Sequence, residues 1–188
     1  MELQELLAHF DSGGGFGDDP EVIACMRACI EENRRLLFEM NHVWHENVDE
    51  ITELFARITA KHVGKGLRIE TPFYTDFGKN ITVGDNVFIN AGCKFQDQGG
   101  IYIDDGALIG HNVVLATLDH DLDPEKRHLL RPAPIHIGKR VWIGAGVVIT
   151  KGVHIGDNSV IAAGAVVTHD IPANVIAAGV PAKVLRTI

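Results

Sequence analysis

Residues 137–167 read IGKRVWIGAGVVITKGVHIGDNSVIAAGAVV, and an aliphatic residue opens every group of six. A sustained six-residue period is typical of a parallel β-helix built from hexapeptide repeats. Each hexapeptide then forms one short strand and one corner, and three hexapeptides form one triangular coil. The aliphatic residues, which we expect to fill the interior, are Ile137, Ile143, Ile149, Ile155, Ile161 and Val167.

The same period continues toward the N-terminus, which extends the predicted β-helix. The positions six apart are Val83, Ile89 and Phe95, followed after a short break by Ile103, Ile109 and Leu115. Parallel strands stack about 4.8 Å apart, and no coil buries its inner face alone. Residues 67–180 suffice for roughly five or six coils, so we predict a mainly β protein.

Residues 1–63 follow a helical period instead. Apolar residues three or four apart predict a short helix near residues 3–10, a second helix from Asp19-Pro20 to about Met40, and a third from Val48 to Lys61. We therefore divide the chain into an N-terminal helical segment, residues 1–63, and a β-helix domain, residues 64–188. The stretch DSGGGFGDD, residues 11–19, lacks the Lys and Ser/Thr of a phosphate-binding loop, and we interpret it as a flexible connector.

The composition of the chain limits the kinds of partner and the cellular compartment that we expect for the protein. The formal charge of the 188-residue chain is −8, and no dense basic stretch favours nucleic acid or an anionic membrane. No apolar run reaches the roughly 20 residues of a membrane span. The acidic start MELQELLAHF does not resemble a signal peptide, and cysteine is sparse. We expect a cytoplasmic protein with no nucleic-acid or membrane partner.

The largest break in the period predicts where the chemistry lies. The step from Leu115 to Ile137 spans 22 residues, so about 16 residues near 119–134 must leave the coil. Long loops in compact domains are usually functional. His120 stands where this loop departs, and a histidine can act as a general base near neutral pH. His128, inside the loop, is a second candidate.

Four stretches resemble one enzyme family in order and spacing: FEMNH (38–42), PFYTDFGKNITVGDNVFIN (72–90), PIHIGKRVWIGAGVVI (134–149) and IGDNSVIAAGAVVTHDIPANVIAAGVPAKVLR (155–186). Together with the His120 segment, they resemble the galactoside and maltose O-acetyltransferases, members of the hexapeptide-repeat acyltransferases. The resemblance implies a left-handed β-helix and a homotrimer with active sites between neighbouring subunits. It also implies acetyl transfer from acetyl-CoA to a sugar hydroxyl, with no metal required.

The resemblance also implies roles for individual residues. His120 matches the catalytic histidine of the family. Phe88 stands where some galactoside enzymes have Tyr, and His169 stands where Lys is common. On the acceptor side the implied residues are Asn90, Asp76, Asp11, Phe88 and Trp142. For acetyl-CoA they are Ala145 and Ala163, through backbone contacts, and Thr168, His169, Lys183 and Arg186 for the distal part of the cofactor.

Three other functions are compatible with a hexapeptide-repeat fold. A zinc carbonic anhydrase needs three histidines around one metal, but His111 and His120 are nine residues apart rather than closely paired. An acyltransferase for another acceptor, such as an amino sugar or a small-molecule drug, would use the same histidine. A non-catalytic trimeric scaffold would not need His120, Asn90 and the late cations.

Overall fold

A computed structural model describes residues 1–188 and begins with three helices. They are α1 (Leu3–Asp11), α2 (Pro20–His42) and α3 (Val48–Thr59). As predicted, Asp19 caps α2, because its carboxylate accepts hydrogen bonds from the Glu21 and Val22 amides. The third helix ends two residues earlier than predicted, since Ala60 adopts a left-handed conformation with φ 52°. None of the three helices combines the length and the apolar character that a membrane crossing requires.

The chain after α3 forms short strands, and most of these strands build the three faces of a triangular prism. Face 1 contains β1 (Arg68–Ile69), β4 (Phe88–Ile89), β7 (Leu108–Ile109), β12 (Trp142–Ile143), β15 (Val160–Ile161), β17 (Val175–Gly179) and β18 (Ala182–Thr187). Face 2 contains β2 (Tyr74–Thr75), β5 (Lys94–Gln96), β8 (Val114–Ala116), β13 (Val148–Thr150) and β16 (Val166–Val167). Face 3 contains β3 (Ile81–Val83), β6 (Ile101–Ile103), β11 (Ile135–Ile137) and β14 (His154–Ile155).

The strand registers stack the predicted aliphatic residues into inward columns. On face 1, Ile89, Ile109, Ile143 and Ile161 are successive partners, and each is at most 1% exposed. Because the side chains of a strand alternate between two sides, the neighbouring residues point outward. The predicted fold, a left-handed parallel β-helix of about six coils with an N-terminal helical segment, is confirmed.

One hydrophobic core runs through the coils and continues into the helices. It contains 35 buried residues, among them Leu36 and Met40 of α2 and Leu54, Phe55 and Ile58 of α3. These helices therefore cover the apolar end of the coil stack beside Leu67–Phe95, which would otherwise face water. The helices and the first coils stabilise each other. The division of the chain at residues 63 and 64 stays a prediction.

Candidate active site

Two edges of the prism carry most of the predicted site residues. The His120 edge lies between faces 2 and 3 and is the column Asp76, Gln96, Ala116, Thr150 and Thr168. The Ala145 edge lies between faces 1 and 2 and contains the two residues that follow each of β4, β7, β12 and β15, among them Asn90, Ala145 and Ala163. Six residues separate Asn90 from Gln96, so one face keeps the two edges up to about 20 Å apart.

The predicted excursion leaves the His120 edge as an antiparallel hairpin. The Ala133 amide donates to the Thr117 carbonyl at 3.0 Å, which closes the base of the excursion. Between these residues, β9 (Leu118–His120) pairs with β10 (Leu130–Pro132), and His120 is opposite Leu130. A short 3₁₀ helix (Pro124–Lys126) lies near the tip. We call residues 118–132 the His120 hairpin.

The His120 ring is held by a backbone group of its own hairpin. Its Nδ1 lies 2.7 Å from the Arg127 carbonyl oxygen. A carbonyl only accepts hydrogen bonds, so Nδ1 carries the hydrogen and Nε2 of the neutral ring is the acceptor. The side chain is exposed, and Nε2 makes no hydrogen bond within the subunit. His120 therefore presents a free proton acceptor at the outside of the edge.

Ion pairs fix the hairpin against the next coil. Lys151 lies 3.3 Å from the Asp119 carboxylate and donates to the Arg131 carbonyl at 3.0 Å. Arg131 also pairs with Asp121 at 2.9 Å. The Asp123 amide and the Arg131 guanidinium hold the pKa of the Asp121 carboxyl below its usual value. The hairpin base is thus ordered by charge as well as by backbone pairing.

A buried carboxylate shapes the neighbouring corner of the same edge. Asp97 is fully buried and its Oδ1 accepts from the Thr75 hydroxyl at 2.7 Å and from the Phe77 and Gly78 amides at 2.9 Å. Its Oδ2 accepts from the Asn80 amide at 3.1 Å. Burial raises the pKa of Asp97, and these hydrogen bonds act in the opposite direction. Asp97 therefore fixes the backbone turn from residue 75 to residue 80.

Asp76 lies within that turn and faces outward along the His120 edge. Its side chain is exposed to solvent, yet the surrounding protein desolvates the carboxyl and raises its pKa, while Gln98 and Gln96 act to lower it. Gln98 Oε1 is buried without a hydrogen-bond partner. Asp76 is two coils from Ala116, or about 10 Å along the prism. The structure places Asp76 on the same edge as His120, as an acceptor-side role requires.

Asp11 is brought to face 3, beside the same edge. The Tyr102 hydroxyl donates to the Asp11 carboxylate at 3.4 Å. Burial and the Asp11 charge raise the pKa of Tyr102, whose ring stacks on His136 with centroids 4.6 Å apart. Desolvation lowers the pKa of Lys61, an effect that the Asp11 and Asp97 charges oppose. The six-residue period of the sequence did not identify Tyr102 as a candidate site residue, because Tyr102 occupies an ordinary outward position of a strand.

The Ala145 edge collects the second group of predicted residues. Asn90 directly follows β4, and its Oδ1 accepts from the Ala91 amide at 2.9 Å. Ala145 and Ala163, the second residues after β12 and β15, are exposed, and neither amide donates a hydrogen bond within the chain. Gly144 allows this close stacking, since a Cβ there would lie 2.5 Å from the Ala163 nitrogen. The edge thus offers free N–H groups to a ligand.

Phe88 and Trp142 belong to an apolar stripe on the outer side of face 1. Successive outward partners are Phe88, Leu108, Trp142, Val160 and Ile176. Trp142 is 55% exposed and Leu108 47%, whereas Arg68 covers the Phe88 ring at 5.3 Å. We call these five residues the face 1 stripe. An apolar surface of this kind is typical of an interaction site.

The residues predicted to bind the distal part of the cofactor lie near the C-terminal end of the prism, in two separate places. Thr168 and His169 follow β16 at the His120 edge, with the Thr168 hydroxyl 2.9 Å from His169 Nδ1. Lys183 and Arg186 lie on β18, which pairs antiparallel with β17 on face 1. All four side chains are exposed. A single subunit does not bring these two pairs together.

A single chain therefore does not bring all the predicted site residues together. His120 and Asp76 lie at the His120 edge, Asp11 contacts Tyr102 on face 3, and Asn90, Ala145 and Ala163 lie at the Ala145 edge. None of the four pockets of the subunit is lined by His120. The largest, of about 420 Å³, lies between α2 and α3. No group of three or more His, Cys, Asp or Glu side chains is arranged to hold a metal ion.

One expectation from the sequence is wrong. Residues 11–19 are not a flexible connector, because Phe16 is buried and pairs with Leu130 of the His120 hairpin. Composition could not reveal this contact, since the two partners are 114 positions apart in the chain. Cys93 is buried, and burial raises the pKa of its thiol to about 11.

Comparison with known proteins identifies the family of the chain. A sequence profile of the hexapeptide repeat of succinyl-transferase matches residues 80–116 and 134–169, and the unmatched gap contains the His120 hairpin. The chain is 42% identical to the galactoside O-acetyltransferase of Escherichia coli over 82% of this chain and 77% of that protein. The chain belongs to the galactoside and maltose O-acetyltransferase family of hexapeptide-repeat acyltransferases.

Solved structures place the whole chain in the same group. A maltose O-acetyltransferase from Clostridium difficile superposes with a TM-score of 0.86 at 34% identity, covering 97% of this chain and 96% of that one. A hexapeptide-repeat acetyltransferase from Vibrio cholerae, solved with acetyl-CoA, gives the same TM-score and identity and covers 97% of both chains. The enzyme class is thus acetyltransferase.

Proposed function

We propose that this enzyme transfers the acetyl group of acetyl-CoA to a hydroxyl of a sugar, with His120 as the general base. The observation that carries the proposal is the hydrogen bond from His120 Nδ1 to the Arg127 carbonyl, 2.7 Å long, because it leaves Nε2 as a proton acceptor. Family membership supports acetyl-CoA as the donor, and the Vibrio cholerae relative was solved with that molecule.

In this mechanism, His120 Nε2 takes the proton of the acceptor hydroxyl as its oxygen attacks the thioester carbonyl. The tetrahedral oxyanion is stabilised by a preorganised N–H group, for which the free Ala145 amide is our candidate. Collapse of the intermediate breaks the C–S bond, and His120 returns the proton to the departing thiolate. The products are the acetyl ester and CoA. The attack is direct, since the ring of His120 bonds the Arg127 carbonyl and makes no hydrogen bond to a Ser or Cys that could act as a covalent nucleophile.

Asp76, Asp11 and Asn90 would bind the hydroxyl groups of the sugar, with Phe88 and Trp142 forming an apolar boundary. Carboxylates accept hydrogen bonds from hydroxyls, which suits Asp76 and Asp11 to the acceptor. Thr168, His169, Lys183 and Arg186 would bind the distal part of CoA, because cations favour phosphate groups.

We further infer that the working unit is a homotrimer whose clefts join the His120 edge of one subunit to the Ala145 edge of its neighbour. Two observations support this. The predicted residues occupy two edges that one subunit keeps apart, and the face 1 stripe exposes apolar side chains that a neighbouring copy would cover. A closed ring of three copies gives three identical clefts.

The test is an acceptor panel assayed with acetyl-CoA, with thiol release as the readout. Sugars such as glucose, maltose and a thiogalactoside should stimulate release, and His120→Ala should lower kcat by about 10²–10⁴. His42→Ala is the matched control, since His42 is an exposed histidine at the end of α2 and belongs to neither edge, and it should keep wild-type kcat. Release that does not depend on sugar, or an unchanged kcat in His120→Ala, would contradict the proposal.

A further inference from the structure

The glycine-rich segment, residues 11–19, contacts the His120 hairpin as a third strand. Phe16 forms an antiparallel bridge with Leu130, and the Leu130 amide donates to the Phe16 carbonyl at 3.0 Å. Leu130 is itself opposite His120 in the hairpin ladder. The backbones of Phe16, Leu130 and His120 therefore lie side by side, with the hairpin strand in the middle.

Two glycines are required for this close approach. A Cβ on Gly15 would lie 2.5 Å from the Leu130 carbonyl oxygen, a contact that real Cβ atoms essentially never make. A Cβ on Gly17 would lie 3.1 Å from the His128 carbonyl oxygen, and Gly17 has a φ of +145°. Beyond the glycines, Asp18 lies 3.3 Å from His128 Nε2. Residues 15–18 thus run beside residues 128–130 of the His120 hairpin.

The Phe16 side chain connects this contact to the body of the protein. Phe16 is 8% exposed and packs edge-to-face on Phe10 with centroids 5.6 Å apart. Phe10 in turn packs on Phe77 at 6.0 Å, and the Phe77 amide is bound by Asp97. Leu118, at the base of the hairpin, and Leu130 join the same cluster. Phe16 therefore links the hairpin to α1 and to the Asp97 corner.

We propose that residues 15–18 position the catalytic hairpin, with Gly15, Phe16 and Gly17 as positioning residues for His120. The proposal rests on the proposed function, because it takes His120 as the base. The coil stack holds the hairpin from one side through Lys151, and the glycine-rich segment holds it from the other. A displacement of about 1 Å at a reacting group costs roughly 100-fold in rate, so support on both sides matters for catalysis.

The direct test replaces Gly15 by Ala in the full chain. The added Cβ separates the segment from Leu130, and we expect kcat to fall by roughly 100-fold while KM for acetyl-CoA stays at the wild-type value. Gly13→Ala is the control for backbone strain in the segment, because Ala is strained at the Gly13 φ of +81°, but no atom lies within 4 Å of an added Cβ there. This control should keep the wild-type kcat.

A second readout does not depend on catalysis. Hydrogen exchange of residues 118–132, followed by mass spectrometry, should be faster in Gly15→Ala than in Gly13→Ala, because the bond from the Leu130 amide to Phe16 is lost. If Gly15→Ala does not fold, Phe16→Ala replaces it with the same two readouts, and Phe16→Leu should restore kcat. Unchanged exchange together with an unchanged kcat would overturn the proposal. Failure of the proposed function would show instead as full activity in His120→Ala.

Discussion

The hydrogen bond between His120 and the Arg127 carbonyl decides which ring nitrogen is free for proton transfer. The partner is a backbone atom seven residues along the same hairpin, so no second catalytic side chain is needed to fix the tautomer. This arrangement differs from a triad, in which a carboxylate orients the imidazole. At the residue scale, the chemistry therefore depends on the shape of the hairpin turn.

The buried carboxylate of Asp97 leads to a prediction about stability. Asp97→Ala would leave the donors of Thr75, Phe77, Gly78 and Asn80 buried without a partner, and each unsatisfied donor costs about 1–3 kcal/mol. We expect the free energy of unfolding, measured by urea denaturation, to fall by about 4 kcal/mol or more, since four donors are affected. Asp104→Ala, at an exposed position, is the control. A loss of less than about 1 kcal/mol would show that the corner does not depend on Asp97.

The raised pKa of Cys93 predicts an unreactive thiol. With a pKa of about 11, the thiol stays protonated at pH 8, and only the thiolate reacts with disulfide reagents. We expect DTNB to leave Cys93 unmodified in the folded protein and to modify it after denaturation, as read by mass spectrometry. Raising the pH toward 11 should increase the thiolate fraction. Rapid modification of Cys93 at pH 8 would contradict this prediction.

His120 could be predicted from the sequence, but its surroundings could not. The break in the six-residue period marks His120, because a regular coil leaves no room for the extra residues. Asp97 and Tyr102 occupy ordinary repeat positions, and their importance comes from donors and acceptors on other coils. Periodicity does not report such contacts, since it depends only on the spacing of apolar residues.

At the scale of elements, the excursion and the glycine-rich segment form one unit. The sequence predicted the extent of the excursion well, since its length follows from the missing hexapeptides. It did not predict the hairpin pairing, nor the ordered segment beside it. Turn-rich composition normally indicates a loop, but Phe16 contributes an apolar anchor that is satisfied only when Phe10 and Leu130 are adjacent in space. Tertiary contacts thus override the local signal.

The three helices could also be predicted only in part from the sequence. Their apolar faces and the Asp19 cap were readable from the sequence, and all three lie where expected within two residues. Their packing against the first coils was not readable, because a 3.6-residue period identifies an apolar face without its partner. The shared core means that residues 64–188 alone would expose the coil end that Phe55 and Ile58 cover.

At the scale of the whole molecule, the prism keeps the two edges that carry the predicted site residues apart. The family and the coil architecture followed from the sequence, and the comparisons bear out both. Trimer assembly, the sugar acceptor and the cytoplasmic location stay predictions. The face 1 stripe and the distance between the two edges are the features that support the proposed assembly, in which the His120 edge forms a closed cleft with a partner edge.

Mixing two inactive variants tests this shared site most directly. His120→Ala lacks the base, and Ala145→Tyr fills the exposed corner where acetyl-CoA would lie, so each homotrimer should be inactive. After unfolding and refolding the two together, about one cleft in four receives both intact edges if subunits assemble at random. Size-exclusion chromatography with light scattering should give about three times the 20.5 kDa subunit mass. The mixture should recover about a quarter of wild-type kcat, whereas no recovery in correctly assembled trimers would contradict a cleft built from the His120 and Ala145 edges of neighbouring subunits.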